Sequence, residues 1–160
     1  MGSNPTVRTS MKMGNLQLRR FSLFDLNEVM EIEKTSFPKS QAYSRAYFEK
    51  HYQKLPQGFL VAERRGEIVG YIIGNLKKNL LELVSLAVRL EWRQKGIGTK
   101  LTKFLVSVFK GKGAKKFLLN VRTRNRTAIS FYRNLGFETL RKVKNYYQNG
   151  DNAFLMKREV

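Results

Sequence analysis

Ser85-Leu86-Ala87-Val88-Arg89-Leu90-Glu91-Trp92-Arg93-Gln94-Lys95-Gly96-Ile97-Gly98-Thr99-Lys100-Leu101 is the stretch around which the rest of the chain arranges itself. An apolar run with strand character breaks into a basic segment holding two glycines, and an amphipathic pattern then continues past Phe109. It reads as strand, glycine turn, helix. Glycines let a backbone approach a ligand closely, and the first turn of a helix leaves N–H groups unpaired at its partially positive end, so phosphate oxygens fit there. Spacing excludes two common phosphate loops. A Walker loop needs four residues between its glycines and then Gly-Lys-Ser/Thr, and a dinucleotide fingerprint needs a third glycine three residues after the second. Gly98 is followed by Thr99, Lys100 and Leu101, so both patterns fail. What remains is Arg93-x-x-Gly96-x-Gly98 directly after a strand, a candidate pyrophosphate cradle.

Upstream of this stretch, residues 1–15 lack periodicity and read as a mobile tail, leaving a single domain over residues 16–160. Leu16 to Phe21 alternates as a half-buried strand does. Ser22 with Asp25 three positions on opens a helix through Leu26, Val29, Met30 and Glu33, which stops at Phe37-Pro38 because the residue before proline is pushed out of helical geometry. A second, aromatic helix starts at Ser44 and carries His51 on its surface. Phe59–Glu63 and Ile68–Leu76 form a hairpin about Arg64-Arg65-Gly66-Glu67, and Leu80–Val88 completes an antiparallel meander.

Downstream, the helix after Gly98 buries Leu101, Phe104, Leu105, Val108 and Phe109 and ends at Gly111-Lys112-Gly113. Lys115–Val121 is then a strand running parallel to Leu80–Val88 or splayed from it. Asn125 caps a short helix carrying Ile129, Tyr132 and Arg133, and Phe137–Val143 and Ala153–Lys157 close a terminal hairpin. The order β-α-α-β-β-β-α-β-α-β-β makes an α/β fold with a mixed, largely antiparallel sheet flanked by helices.

Composition narrows the chemistry. The chain has no cysteine, which removes disulfides and a thiol nucleophile, and the single histidine, His51, leaves no multi-histidine metal cluster. No apolar run is long enough to span a membrane, and an apolar signal-peptide core is missing, so the expectation is a cytoplasmic protein. Lys and Arg outnumber Asp and Glu 13 to 8 over residues 1–88, net +5, and 18 to 4 over residues 89–160, net +14. Such a field favours polyanions, among them a phosphorylated cofactor, RNA or a ribosome surface, and equally describes a solvated, lysine-rich face.

The loop Arg93 to Gly98 resembles the coenzyme A loop of the GCN5-related N-acetyltransferases, Gln/Arg-x-x-Gly-x-Gly/Ala, and the order of elements is similar to that family's over nearly all of residues 16–160. A second segment, Asn125-Arg126-Thr127-Ala128-Ile129-Ser130-Phe131-Tyr132-Arg133-Asn134-Leu135-Gly136-Phe137, resembles the family's Asn-x-x-Ala-x-x-x-Tyr-x-x-x-Gly-Phe. A third, Lys144 to Met156 with Tyr146-Tyr147, Gly150, Asp151, Ala153 and Met156, resembles the protein N-terminal branch, close to the ribosomal-protein alanine acetyltransferases and the archaeal and eukaryotic Nα-acetyltransferases.

The resemblance implies acetyl-CoA as donor and a protein or peptide N-terminus as acceptor. Leu86, Ala87, Val88, Arg93, Gln94, Lys95, Gly96, Ile97, Gly98, Thr99, Asn125 and Tyr132 would bind the cofactor. Phe37, Pro38, Tyr43, Glu82, Tyr146 and Tyr147 would border the substrate. An α-amino group has a pKa near 8, so part of it is neutral at pH 7 and attack on the thioester needs no covalent enzyme intermediate. The Val88 N–H would polarise the thioester oxygen and Tyr132 would protonate or hydrogen-bond the leaving thiolate. Some bacterial relatives carry a Glu where this chain has Asn120, and an amide is no base. Glu82, on the strand face of Val84, Leu86 and Val88, is the alternative, with water as the other. Transfer to small-molecule amines or lysine side chains, and a basic RNA- or ribosome-binding module, stay open as other readings.

Overall fold

A computed structural model describes residues 14–160, so most of the tail expected over residues 1–15 lies outside the described residues. Strands β1 (Leu16–Arg20), β2 (Phe59–Arg64), β3 (Glu67–Lys77), β4 (Leu80–Val88), β5 (Lys116–Arg122), β6 (Glu138–Val143) and β7 (Ala153–Glu159) alternate with helices α1 (Leu26–Ser36), α2 (Arg45–Lys54), α3 (Ile97–Lys110) and α4 (Arg126–Asn134) in the expected order. The strand order is β1-β2-β3-β4-β5-β7-β6. The chain packs as two compact units, the first comprising the chain up to Asn75 with Val84–Val108 and the second Leu76–Leu83 with Phe109–Val160.

In the first unit β1 pairs antiparallel with β2, from Leu16 opposite Arg64 to Arg20 opposite Leu60, and β2 pairs antiparallel with β3. The turn between β2 and β3 has Arg65 at φ 51° and Gly66 at φ 84°, the two positive angles of the tight turn whose twist suits a hairpin. Helix α1 is preceded by Ser22, whose N–H donates to the Asp25 carboxylate at 2.8 Å, and is stopped by the extended Phe37. The hydroxyl of Ser44 caps α2 by accepting from the Tyr47 N–H at 3.2 Å. Phe48, Phe59 and Tyr71 are fully buried beside Ile32, Val61 and Ile73. Burying each such apolar side chain contributes about 1.5–3 kcal/mol. Phe21 stacks on Phe59 at 3.9 Å between ring centroids.

Helix α3 begins at Ile97, two residues earlier than the expected start after Gly98, because Gly96 at φ 87° already ends the loop. Its fully buried row is Ile97, Leu101, Leu105 and Phe109, a strict four-residue repeat, while Phe104 and Val108 of the expected stripe are half-buried beside it. The row packs closely on β3. A Cβ on Gly74 would lie 2.8 Å from the Leu105 side chain, so a larger residue there would force Leu105 to shift.

In the second unit β5 pairs antiparallel with β7 along its whole length, and β7 with β6. The first residues of β4 pair parallel with β5, Leu80 opposite Lys116 through Glu82 opposite Leu118, as the strand–helix–strand crossover requires. Asn125 caps α4 through its side-chain oxygen, which accepts from the Ala128 N–H at 3.1 Å. Phe117, Leu119, Ile129, Tyr132, Phe137 and Met156 fill the interior. Strand β6 is the last in the order, and its exposed Arg141 and Lys142 put charge on that edge. Among the described residues no helix is long and apolar enough to cross a membrane.

Candidate active site

The cradle is built where β4 ends. The Arg89 N–H donates to the Val69 carbonyl at 2.8 Å, keeping β4 beside β3 up to that point. Successive N–H groups along a strand point to opposite sides, so the Val88 N–H faces away from β3. Two arginines fix the chain after it. Arg89 donates from Nε to the Ile68 carbonyl at 2.7 Å and from Nη1 to Glu31 at 2.6 Å. Arg93 donates from Nε to the Val88 carbonyl at 2.8 Å and from Nη2 to the Ser36 hydroxyl at 3.1 Å. The side chain of Arg93, expected to bind a cofactor, therefore ties the loop to the end of β4 and to α1.

Beyond Arg93 the backbone turns through two left-handed residues, Gln94 at φ 59° and Gly96 at φ 87°, before α3 begins. The Lys100 N–H donates to the Gly96 carbonyl at 3.0 Å, which makes Gly96 the residue before the first helical turn. Geometry of that kind gives the N–H groups of Ile97, Gly98 and Thr99 no acceptor within the helix. Alternating left- and right-handed backbone with a helix start makes a concavity lined by N–H donors, a fit to phosphate oxygens. Lys95 is exposed on the same loop.

The connection between α1 and α2 carries the expected substrate-side residues. Phe37 and Tyr43 pack half-buried against the core of the first unit, and Pro38 is exposed. The Pro38 carbonyl accepts from the Gln41 N–H at 2.8 Å and the Ala42 N–H at 3.0 Å. Tyr43 stacks on Tyr47 at 4.1 Å, and Tyr47 meets His51 edge-on, so His51 is a packing partner on α2. A cavity of about 640 Å³ opens there, lined by Met30, Tyr43, Lys34, Lys39 and Arg45 among others. Bonded to the Tyr43 backbone is a group that the sequence marks only as a member of the α1 stripe. Glu33 is 1% exposed and accepts hydrogen bonds from the Tyr71 hydroxyl and from the Tyr43 N–H at 2.9 Å, while the Tyr71 and Ser85 hydroxyls meet at 3.0 Å. Burial pushes the Glu33 carboxyl above its ordinary range, and the Tyr71 and Tyr43 hydrogen bonds, with the Ser85 hydroxyl beyond Tyr71, offset this only in part. The one sequence signal was an acid on an apolar helical stripe.

The second unit gathers the tyrosines. Tyr132, on α4, is almost fully buried, with Phe131 and Phe137 edge-on at 5.1 and 5.6 Å. Burial and the neighbouring Tyr147 push its phenol well above the ordinary tyrosine range. Tyr147 lies under the Arg122 guanidinium at 3.7 Å, and Arg122 pairs with Asp151 at 3.0 Å. Arg124 joins the same carboxylate at 2.6 Å. Tyr146 is half-exposed, packs edge-on against Tyr147 at 4.9 Å and accepts from the Asn120 amide at 3.2 Å. Asn120 thus acts as a hydrogen-bond donor that holds Tyr146. Asn125, expected at the cofactor, spends its side-chain oxygen on capping α4, leaving its amide N–H₂ for any ligand.

Glu82 is half-buried on β4, on the strand face that carries Val84, Leu86 and Val88; the opposite face holds the buried Leu81, Ser85 and Ala87. Leu86 and Val88 are half-buried and Ala87 is in the core of the first unit. Glu82 and Val88 are six positions apart on β4 and share a face by the strand's alternation.

Residues 26–137 match the acetyltransferase (GNAT) family. An N-alpha-acetyltransferase of Sulfurisphaera tokodaii is 32% identical over 153 residues, which covers 88% of this chain and 90% of the relative. Among solved structures, Ard1 from Thermoplasma volcanium matches with a TM-score of 0.85 at 30% identity, over 91% of this chain and 97% of that one. Chaetomium thermophilum Naa20, solved in complex with a bisubstrate analogue, matches with a TM-score of 0.80 at 30% identity, over 90% of this chain and 86% of that one.

Proposed function

This chain belongs to the acetyltransferase (GNAT) family, and from that premise we propose that it moves the acetyl group of acetyl-CoA to the α-amino group of protein N-termini by direct attack in a ternary complex. The observation that carries the reading is the loop leaving β4, where left-handed Gln94 and Gly96 precede a helix start whose N–H groups suit a pyrophosphate. Bound acetyl-CoA supplies an activated acetyl thioester. The N–H groups of Ile97, Gly98 and Thr99 hold phosphate oxygens, helped by Lys95 and by the Asn125 amide. Arg93 keeps the loop in shape from behind.

The Val88 N–H polarises the thioester oxygen. Tyr132, kept neutral by burial, retains its proton and so can hydrogen-bond or protonate the leaving sulfur. Glu82 accepts the amine's proton through water. Phe37, Pro38 and Tyr43 border the acceptor peptide in this reading, as do Tyr146 and Tyr147. The absence of cysteine from the sequence agrees with transfer that forms no bond to a thiol of the protein. The site of action in this reading is the cytoplasm, and the excess positive charge of residues 89–160, net +14 from 18 basic and 4 acidic residues, supports docking on a ribosome or RNA.

The test is an acetyl-transfer screen over peptides differing in their first two residues, set beside Nα-blocked lysine peptides and free polyamines. Turnover on free N-termini, lost on Nα-blocking, is the expected result. Turnover confined to small amines or to lysine side chains would sink the reading.

A further inference from the structure

The Glu33 carboxylate is a costly choice for its position. It is 1% exposed and shares the buried part of α1 with Leu26, Val29, Met30 and Ile32, where an apolar side chain of similar size is buried without desolvating a charge. What an apolar residue cannot do is accept hydrogen bonds. Glu33 takes two from different parts of the first unit, the Tyr71 hydroxyl of β3 and, at 2.9 Å, the Tyr43 N–H. The Ser85 hydroxyl of β4, 3.0 Å from that of Tyr71, extends the chain to a third element. The Tyr43 amide lies in the irregular connection between α1 and α2, outside any helix or strand ladder. One side chain thereby fastens that connection to the strands, and Tyr43 in turn forms a wall of the cavity that Met30, Lys34, Lys39 and Arg45 share.

We infer that Glu33 is a positioning residue for the acceptor: through the Tyr43 backbone it fixes the Phe37–Tyr43 connection in the shape that binds the peptide, leaving acetyl-CoA binding independent of it. The inference rests on the proposed function, in which this connection borders the peptide. When the anchor is lost the connection occupies its binding shape only part of the time, and apparent acceptor affinity falls by that fraction. The cradle of Gln94 to Thr99 has its own fastenings, Arg89 and Arg93, so donor affinity stays as it was.

The experiment compares Glu33→Leu with Glu33→Gln by steady-state kinetics in both substrates, with amide hydrogen exchange read at Tyr43. Leucine fills the space and accepts nothing. Glutamine keeps an oxygen for the Tyr43 N–H while its N–H₂ donates to Tyr71, whose hydroxyl turns to Ser85. Glu33→Leu should raise peptide KM about tenfold, leave acetyl-CoA KM within about twofold and abolish exchange protection at Tyr43; Glu33→Gln should bring peptide KM back to within about threefold. Unchanged peptide KM in Glu33→Leu, or equal increases in both KM values, overturns the inference. Should Glu33→Leu fail to fold, Tyr71→Phe takes its place. A peptide KM raised about threefold with acetyl-CoA KM unchanged supports the inference, and no change in either overturns it. A wild-type enzyme that acetylates no peptide defeats the functional reading first, whereas a wild-type enzyme active on peptides with an indifferent Glu33 defeats the positioning role alone.

Discussion

Glu82 and Tyr132 divide the proposed proton movements between an acid that is half-open to solvent and a phenol that is not. Removing the base while keeping its size, in Glu82→Gln, should lower kcat at pH 7 by about tenfold or more. The deficit should narrow as pH rises toward the amine's own pKa, near 8, because the substrate then arrives already neutral. A pH–rate profile of kcat that coincides with wild type would remove Glu82 from the mechanism. Tyr132→Phe deletes the donor to the sulfur without opening a cavity, so acetyl-CoA affinity should hold while kcat drops about tenfold or more; calorimetry and single-turnover rates separate the two effects. The residues differ in how legible they were. Tyr132 and the cradle glycines lie in short segments whose spacing carries their meaning. Glu33 sits on the α1 stripe in plain view, but its partners are ten and 38 residues away, and no local pattern shows that the Tyr43 N–H and the Tyr71 hydroxyl meet it.

Where elements join, charge does the fastening. Arg19 of β1 pairs with Asp25 at 2.8 Å just before α1 and with Glu63 of β2 at the same distance. Burial pushes the Asp25 carboxyl up, but the Arg19 guanidinium and the Ser22 N–H outweigh it and leave the group below its ordinary range. A carboxyl with a lowered pKa in the folded state stabilises above its unfolded value, near 3.9, and that contribution is lost as pH falls through the folded one. Asp25→Asn should therefore lower Tm at pH 7, and the deficit should shrink as pH falls below the ordinary carboxylate range, as calorimetry across pH would show. In the second unit Arg122 holds Tyr147 and Asp151 together. Arg122→Ala should raise peptide KM about three- to tenfold, the effect of losing an aromatic stack and a charge pair, with acetyl-CoA KM unmoved in the same kinetics. The elements themselves were readable because strand and helix periods differ and the turns are marked by Gly, Asn and Pro. The bonds that lock them were not, since they pair residues that no period relates.

For the molecule as a whole, a formal charge of +19 on 160 residues sets a long-range preference. Acceptor peptides with acidic side chains after the first residue should show lower KM than neutral ones at low ionic strength. The difference should shrink as salt shortens the Debye length, which kinetics over a salt series would reveal. The twist-matched turn at Arg65-Gly66 also makes one strand pairing of the first unit far more local than the other. β2 and β3 are joined by two residues, a hairpin of a kind that closes in about 1–10 μs. β1 has its partner in β2, Leu16 opposite Arg64, so its pairing closes a far longer loop than the two-residue turn does. The strand that comes first in the unit thus makes the less local contact, and the hairpin after it the more local one.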